Sequence, residues 1–377
     1  MIKNIPLNSF LSEYTERNVD NKYKPVAVGR YGIRSRNSIY SKELAKDYSK
    51  NKLIFKNTLT IGMGSVQIDI GILSADETYS VSPAYHTYRI NDINPNYLRY
   101  CLECRNQDMF VRYVKKGSRQ GKTIDLSRWL TYEIPVCSVD DQGKIVDRID
   151  RVQGIIDASE KQLIKLDEFV KSRFIELFGT VKDNPYHFPT ATLKEVCHKI
   201  TDGKHGGCEQ EADSGYYYVG AREIYDGVIH YDTAPEITYA DFAKDYLRCN
   251  IEQGDMVIVN TDATIGKSAI ASSPLTERTL LQKSVALLKV KTDAVSAVFL
   301  RYCYMANPSM YMVENASAQP NLLLSKMNAT VIYLPPIELQ EQFTTFVEQV
   351  DKSKLAVKQS LEKLETLKKS LMQQYFG

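Results

Sequence analysis

The sequence predicts a mixed α/β (α+β) protein made of two similar globular domains, each followed by one long helix. Three observations support this fold class. Segments of the first half recur in the second half in the same order. Each half ends in a heptad pattern typical of a coiled-coil helix. The repeat period is close to 200 residues, far above the length of a solenoid repeat, so it indicates a duplicated domain.

The duplication is clearest at the end of each half. Residues 145–179 match residues 343–377 at an offset of 198, and both segments close on a Phe-Gly pair. Farther upstream, the tetrapeptide Leu-Arg-Tyr-Cys at 98–101 recurs at 300–303, at an offset of 202. The drift of four residues indicates loop insertions between two otherwise parallel halves.

Apolar residues recur at alternating steps of four and three in both repeated tails, which predicts a coiled-coil seam. The predicted seam residues are Ile149, Val152, Ile156, Leu163, Leu166, Val170, Val347, Val350, Val357, Leu361, Leu364 and Leu371. Helices of about 35 residues would be about 50 Å long, which is more than a small domain needs. We therefore interpret them as partners in a coiled coil, and a core helix in each domain is the alternative.

Each predicted long helix follows a segment with mixed strand and helix patterns. Strands are predicted at 52–56, 79–83, 256–260 and 284–290, and helices at 96–114 and 297–313. Prolines at 135 and at 335–336 mark the ends of the globular segments. The predicted organisation is a domain over 1–141, a helix over 142–179, a second domain over 180–338 and a second helix over 339–377.

Composition narrows the class of protein. Hydrophobic residues make up 43% of the chain and charged residues 25%, as in an ordinary soluble globular protein. No apolar run approaches the ~18 residues that a membrane span needs, and the first residues lack an apolar signal core. The seven cysteines are sparse and odd in number, which favours reduced thiols and a cytoplasmic location. We expect no membrane partner.

Signatures of catalysis are incomplete. Gly266-Lys267-Ser268 resembles the end of a P-loop, but Thr261 stands where that motif requires glycine. Gly121-Lys122-Thr123 fails in the same way, because Lys116 occupies the glycine position. The five histidines fit no Ser-His-Asp or Cys-His arrangement. We predict no catalytic residue and no cofactor, and an enzyme with an unrecognised site is the alternative.

Metal-binding patterns are weak as well. Cys101 and Cys104 have zinc-ligand spacing, but they supply two of the four ligands and fall in a predicted helix. Cys197, His198, His205 and Cys208 cluster in sequence, and loop and core roles are the simpler interpretation. We predict no metal site.

Positive charge is concentrated in the first domain. Residues 1–141 hold 21 Lys and Arg against 15 Asp and Glu. Residues 21–42 contain six basic side chains, three tyrosines and no acid, and residues 112–128 contain six basic side chains and one acid. Arginine can bind guanine edges and phosphates, so these runs favour a DNA-contacting surface over a merely solvated one. The candidates are Arg30, Tyr31, Arg34, Arg36, Arg119 and Lys122.

The second domain is acidic, with 14 Lys and Arg against 19 Asp and Glu in residues 180–338. Its candidate DNA contacts lie in two polar loops, at 201–207 and 260–267. Asn, Thr, Lys and His on short loops can recognise base edges without a large net charge. The candidates are Thr201, Lys204, His205, Thr264 and Lys267.

In their order along the chain, these patterns resemble the specificity (S) subunit of type I restriction-modification systems. The resemblance covers essentially the whole chain. In the second half it rests on Gly254-Asp255 with Thr264-Ile265-Gly266, on residues 317–322 before Leu324-Ser325, and on residues 334–342. The first half carries looser versions at 60–62, 117–120 and 134–135. These motifs add Ser118, Gln120, Gln319 and Asn321 to the candidate DNA contacts.

The resemblance implies two target-recognition domains, each reading one half of a split site on double-stranded DNA. It implies that the two helices form an antiparallel coiled coil, and the halves are expected to show quasi-twofold symmetry. It also implies a non-catalytic subunit that binds two methyltransferase (modification) subunits, with motor-nuclease (restriction) subunits in the full complex. The net charge of −5 in residues 180–338 departs from simple DNA binding. A coiled-coil scaffold or adaptor protein without DNA specificity is the alternative.

Overall fold

The computed structural model describes residues 2–36, 47–116, 121–180, 183–261, 266–306 and 323–377. The chain forms two compact units. Unit 1 comprises residues 1–161 and 358–377, and unit 2 comprises residues 162–357. Each unit therefore contains one globular domain, the first part of one long helix and the last part of the other.

The globular domain of unit 1 is built on antiparallel strands. Its strands are β1 (Lys3–Pro6), β2 (Leu11–Glu13), β3 (Val26–Gly29), β4 (Gly32–Ser35), β5 (Lys52–Ile54), β6 (Thr58–Met63), β7 (Ile68–Ile72), β8 (Tyr79–Val81), β9 (His86–Ile90), β10 (Val114–Lys116), β11 (Lys122–Ile124) and β12 (Glu133–Val136). Its short helices are α1 (Pro95–Cys104), α2 (Asn106–Tyr113) and α3 (Leu126–Trp129). The main sheet has the order β2-β9-β6-β7, and β1 pairs with β12.

Local sequence explains where α1 begins. The Asn94 side chain accepts hydrogen bonds from the backbone N–H groups of Asn96 and Tyr97, and Pro95 occupies the first turn. Both features stabilise a helix start. The single helix predicted over 96–114 is wrong, because it divides at Arg105 into α1 and α2. Tyr97 and Trp129 are fully buried in the core beneath the sheet.

Unit 2 repeats this plan with different insertions. Its strands are β13 (Thr190–Thr192), β14 (Cys197–Asp202), β15 (Tyr217–Val219), β16 (Ile224–Tyr225), β17 (Val228–Ile229), β18 (Met256–Val259), β19 (Ser268–Ile270), β20 (Thr279–Leu281), β21 (Val285–Val290) and β22 (Val331–Tyr333). Its short helices are α5 (Leu193–Val196), α6 (Tyr239–Cys249), α7 (Ala297–Ala306) and α8 (Leu324–Ala329). The main sheet has the order β14-β21-β18-β19, and β13 pairs with β22.

The predicted duplication is confirmed, because the two main sheets have the same strand order and equivalent supporting pairs. A pair of buried glutamines, 198 residues apart, repeats as well. Gln142 donates to the Cys137 carbonyl and accepts from the Asn94 N–H, each at 2.9 Å. Gln340 donates to the Pro335 carbonyl at 2.8 Å and accepts from the Ser296 N–H at 2.9 Å.

The two long helices are α4 (Val139–Phe178) and α9 (Ile337–Phe376), each of 40 residues. They begin three and two residues before the predicted starts. In unit 1, Arg148 donates to the Tyr375 hydroxyl at 2.8 Å and Lys368 donates to Gln153 at 2.5 Å. Residue numbers rise along one helix as they fall along the other, so the helix segments are antiparallel.

The helix segments of unit 2 pair in the same sense. The Lys354 ammonium lies 2.7 Å from Asp167, and the rings of Phe169 and Phe346 lie 5.2 Å apart. Among the seam candidates, Ile149, Val152, Ile156, Val170, Val347 and Val350 are buried. The remaining candidates, Leu163, Leu166, Val357, Leu361, Leu364 and Leu371, are half-buried. The predicted antiparallel pairing of two long helices is therefore confirmed within each unit.

Candidate nucleic-acid interface

Strand direction decides which loops share an edge of each main sheet. In unit 1, β2 and β6 both run antiparallel to β9, so the chain leaves both strands at the same edge. In unit 2, β14 and β18 both run antiparallel to β21, with the same result. The loop that follows Asp202 and the connection from β18 to β19 therefore leave one edge. Two strands separated by one neighbour are about 10 Å apart.

A β-hairpin presents the basic candidates of unit 1. Register pairs Gly29 of β3 with Gly32 of β4, which leaves Arg30 and Tyr31 as a two-residue loop. Gly32 has a φ of +77°, a conformation that glycine adopts without strain. The hairpin packs closely on β7, since a Cβ added at Gly71 would lie 2.5 Å from the Ile33 side chain.

Tyr31 is 69% exposed at the tip of this hairpin and lies between two guanidinium groups. The Arg30 and Arg34 guanidinium carbons are 5.7 and 4.9 Å from its ring centroid. Arg36 lies 5.5 Å from the ring of Tyr48. Cation–π contacts at these distances orient the guanidinium groups without neutralising them. That these side chains contact DNA stays a prediction.

In the second basic stretch, residues 112–128, several basic side chains form ion pairs or hydrogen bonds within the domain. Lys115 forms an ion pair with Asp125 at 2.6 Å, and Arg112 forms one with Asp108 at 2.7 Å. The hydrogen bond from Lys115 lowers the pKa of Asp125. Lys122 donates to the Ser65 carbonyl at 2.5 Å. Ser118, Arg119 and Gln120 lie outside the residues that the structure describes.

Lys204 forms ion pairs within the globular domain of unit 2. Its side chain is 12% exposed, and its ammonium lies 2.9 Å from Asp245 and 3.4 Å from Asp241. These carboxylates, led by the hydrogen bond to Asp245, raise the pKa of Lys204. A substitution at Lys204 would therefore disturb the domain itself as well as any phosphate contact.

Asp202 fixes the start of the same loop. It accepts hydrogen bonds from Arg248 at 2.5 Å and from the His205 ring at 3.0 Å. Burial alone would raise the pKa of Asp202, but these hydrogen bonds lower it. Thr201 lies near the end of β14, and Lys204 and His205 lie in the loop that follows it. Lys267 is exposed just before β19, whereas Thr264, Gln319 and Asn321 lie outside the described residues.

The sequence reasoning missed α6. Its two acids, Asp241 and Asp245, both contact Lys204, while Phe242 and Cys249 are buried. Leu247 is 80% exposed on the other side, and Tyr239, 61% exposed, has its ring 5.2 Å from that of Tyr216. The acids and bases of this segment cancel, so a count of charges along the sequence does not single it out. The available signal was one apolar residue, Leu247, off the core-facing stripe of the helix.

Comparison with known proteins identifies the family. The model for the type I restriction modification DNA specificity domain matches residues 11–168 and again residues 186–367. The chain belongs to the type I restriction-modification DNA specificity family. Membership implies DNA-target recognition within a restriction-modification system, and the specificity subunit is the non-catalytic member of such systems.

Two solved structures have a similar fold. The crystal structure of the type I restriction-modification system S subunit from M. genitalium is 16% identical, with a TM-score of 0.57, and the match covers 100% of this chain and 96% of that one. A structure described as concerning complex assembly and conformational transition of the type I R-M system is 17% identical, with a TM-score of 0.60 and coverage of 100% and 97%.

Two further findings bear on this specificity-family chain. Across the described residues, none of the helices is both long enough and apolar enough to span a membrane. In the same part of the chain, no group of three or more His, Cys, Asp or Glu side chains could hold a metal ion. Of the cysteines and histidines that cluster near 197–208, Cys197 is buried in the core and His205 bonds Asp202.

Proposed function

We propose that this chain is the specificity subunit that directs a type I methyltransferase and restriction complex to a bipartite DNA target. Each globular domain recognises one half-site. The observation that carries the proposal is the presence of two specificity domains with the same strand order in one chain. We assign 1–141 and 180–338 to the recognition domains, and 142–179 and 339–377 to the spacer helices.

The long helices act as the spacer in this proposal. A helix of 40 residues is about 60 Å long. One turn of DNA is about 34 Å, so such helices are long enough to separate two half-sites by one or more turns. A rigid helix pair would fix the number of base pairs between the half-sites, because register on the duplex depends on that separation.

The partners follow from the duplication. Two equivalent units in one chain offer two equivalent surfaces, which suits two identical methyltransferase subunits. One of the similar structures is described in terms of complex assembly in a type I system, which supports partners of this kind. Motor-nuclease subunits join the complex for cleavage, and the chain itself supplies no catalytic group.

The test is co-expression with a methyltransferase encoded nearby, followed by mapping of methylated bases in genomic DNA. We expect a split methylated target, and we expect an exchange of residues 180–338 for those of a relative to change one half only. A change in both halves or in neither would refute the one-domain, one-half-site mechanism. Assembly with the methyltransferase without any DNA binding would favour the scaffold alternative.

A further inference from the structure

Helix α6 has two faces of different chemistry. Phe242 and Cys249 are buried, and the Phe242 ring lies 4.6 Å from the ring of Tyr216. The opposite, outward face is formed by residues one and two turns apart along the helix. Its exposed members are Ala240, Ala243, Lys244, Leu247 and Arg248. Leu247, at 80% exposure, makes this an apolar surface as well as a basic one.

The acids of α6 do not contribute to the outward face. Asp241 and Asp245 both contact Lys204, and Asp241 also accepts the Glu209 N–H at 2.7 Å. The charged groups that remain on the outward face are Lys244 and Arg248. Arg248 is 43% exposed even though it binds Asp202. Asp202 thereby balances the charge of Arg248, so the positive charge of the outward face comes from Lys244, although the domain that carries it is net acidic.

The position of α6 in the fold is informative. It lies in the segment between β14 and β18, which follow each other in sequence within the main sheet and are the first and third strands by position in that sheet. The equivalent segment of unit 1, between β2 and β6, contains the hairpin that presents Arg30, Tyr31 and Arg34. The two domains thus carry different insertions, a basic hairpin and an amphipathic helix, at the same point of one framework.

We propose that the outward face of α6 enters the major groove of the half-site recognised by the second domain. This inference rests on the proposed function. An α-helix fits the major groove, whose width is about 12 Å. Ala243 and Leu247 offer apolar contacts to thymine methyl groups, and Lys244 lies beside them, where it can bind a phosphate.

Charge complementarity favours a duplex over a protein occupant. Phosphate contacts by basic side chains supply most of the non-specific affinity for DNA. The outward face of α6 concentrates the exposed positive charge of its helix, because both carboxylates contact Lys204. Asp241 and Asp245 themselves bind Lys204 and are not on the outward face.

The experiment uses the full chain assembled with its methyltransferase subunits. Three variants are compared with the parent: Leu247→Gln, Lys244→Glu and, as a charge-matched control on α5, Lys194→Glu. All three positions are exposed, so thermal stability should hold. Methylated targets are mapped in cells, and binding to a duplex carrying the mapped target is measured at several salt concentrations.

Leu247→Gln is expected to change base preference within the half-site of the second domain only. Lys244→Glu is expected to weaken binding roughly tenfold and to make the salt dependence shallower by about one phosphate contact. Lys194→Glu should do neither. Unchanged targets and affinities for both α6 variants would overturn the inference. Loss of methyltransferase assembly with DNA binding intact would overturn it too, by assigning the face to a protein partner.

The domain exchange distinguishes a wrong assignment of α6 from a failure of the proposed function. If exchanging residues 180–338 changes one half-site while the α6 variants change nothing, the helix assignment is wrong and the proposed function stands. If the exchange changes neither half-site, the proposed function itself fails.

Discussion

Lys204 shows how a basic side chain that the sequence suggests as a DNA contact can serve the fold. Its ammonium is nearly buried between Asp241 and Asp245. Removing it leaves two neighbouring carboxylates without their counter-ion. Breaking a buried ion pair by removing one partner costs more free energy of unfolding than the intact pair contributes.

We therefore expect Lys204→Ala to lower the free energy of unfolding by about 1–2 kcal/mol. Lys267→Ala, at an exposed position, should have an effect within about 0.5 kcal/mol. Urea unfolding monitored by circular dichroism measures both. Equal effects of the two substitutions would contradict the structural assignment of Lys204.

The Asp202 carboxylate makes the same loop sensitive to acid. Its pKa is lowered in the folded state, so the carboxylate contributes stability above its unfolded pKa of about 3.9, and this contribution is lost as the pH falls through the folded value. Asp202→Asn should be less stable than the parent near pH 7, and the difference should narrow below about pH 4. Melting temperatures from pH 7 to pH 3 provide the measurement. A difference that does not depend on pH would refute the ion-pair account.

At this scale the sequence predicted residue types better than roles. The sequence alone gives no sign that a carboxylate binds Lys115, Arg112 or Lys204. The acids that bind them lie from four to 41 residues away in sequence. A charge count cannot detect such pairs because folding brings them together. Arg30, Arg34 and Tyr31 were easier to predict, since a short hairpin joins sequence neighbours.

At the scale of elements, Gln142 and Gln340 connect each long helix to its globular domain. Each one bridges the backbone just before the long helix and the backbone at the start of α1 or α7. Both side chains are buried, so water cannot replace these bonds. These hydrogen bonds therefore fix the angle between each long helix and its globular domain.

Gln142→Leu and Gln340→Leu should each leave two buried backbone groups unpaired. We expect each substitution to lower the free energy of unfolding by about 2 kcal/mol. Gln107→Leu, on the exposed side of α2, is the matched control and should have little effect. Denaturant titration of the three variants is the measurement. Wild-type stability in Gln142→Leu would show that the bridge is dispensable.

Helices and strands differed in how well the sequence predicted them. The heptads of α4 and α9 are a local signal repeated over 40 residues, so both helices were predicted to within three residues of their starts. The break at Arg105 was missed because apolar spacing continues across it. Strand order was not predictable, since it depends on contacts far apart in sequence.

At the scale of the whole molecule, the duplication separates what two domains share from what distinguishes them. The shared part is the four-stranded sheet with its supporting strand pair and helix. The distinguishing part is the insertion between the first and third strands of each sheet. The sequence predicted the shared part through its offset of about 200 residues. It could not predict the insertions, because neither has a counterpart in the other half.

The hairpin of the first domain offers the sharpest test of separable recognition. Tyr31 and Arg34 form one cluster at its tip, and an arginine bound to guanine provides about 1–3 kcal/mol of discrimination between bases. Arg34→Ala should relax one or two base positions in the half-site of the first domain and leave the other half-site unchanged. Lys56→Ala, which removes an exposed ion pair with Asp76 in the same domain, is the control.

Methylation mapping of genomic DNA from cells carrying each variant reads out both half-sites at once. If Arg34→Ala altered the half-site of the second domain, recognition would not be divided between the domains. If it weakened methylation evenly at all sites, Arg34 would bind phosphate and not a base. If Arg34→Ala changes only the half-site of the first domain and the α6 variants change only that of the second, the two domains recognise their half-sites independently.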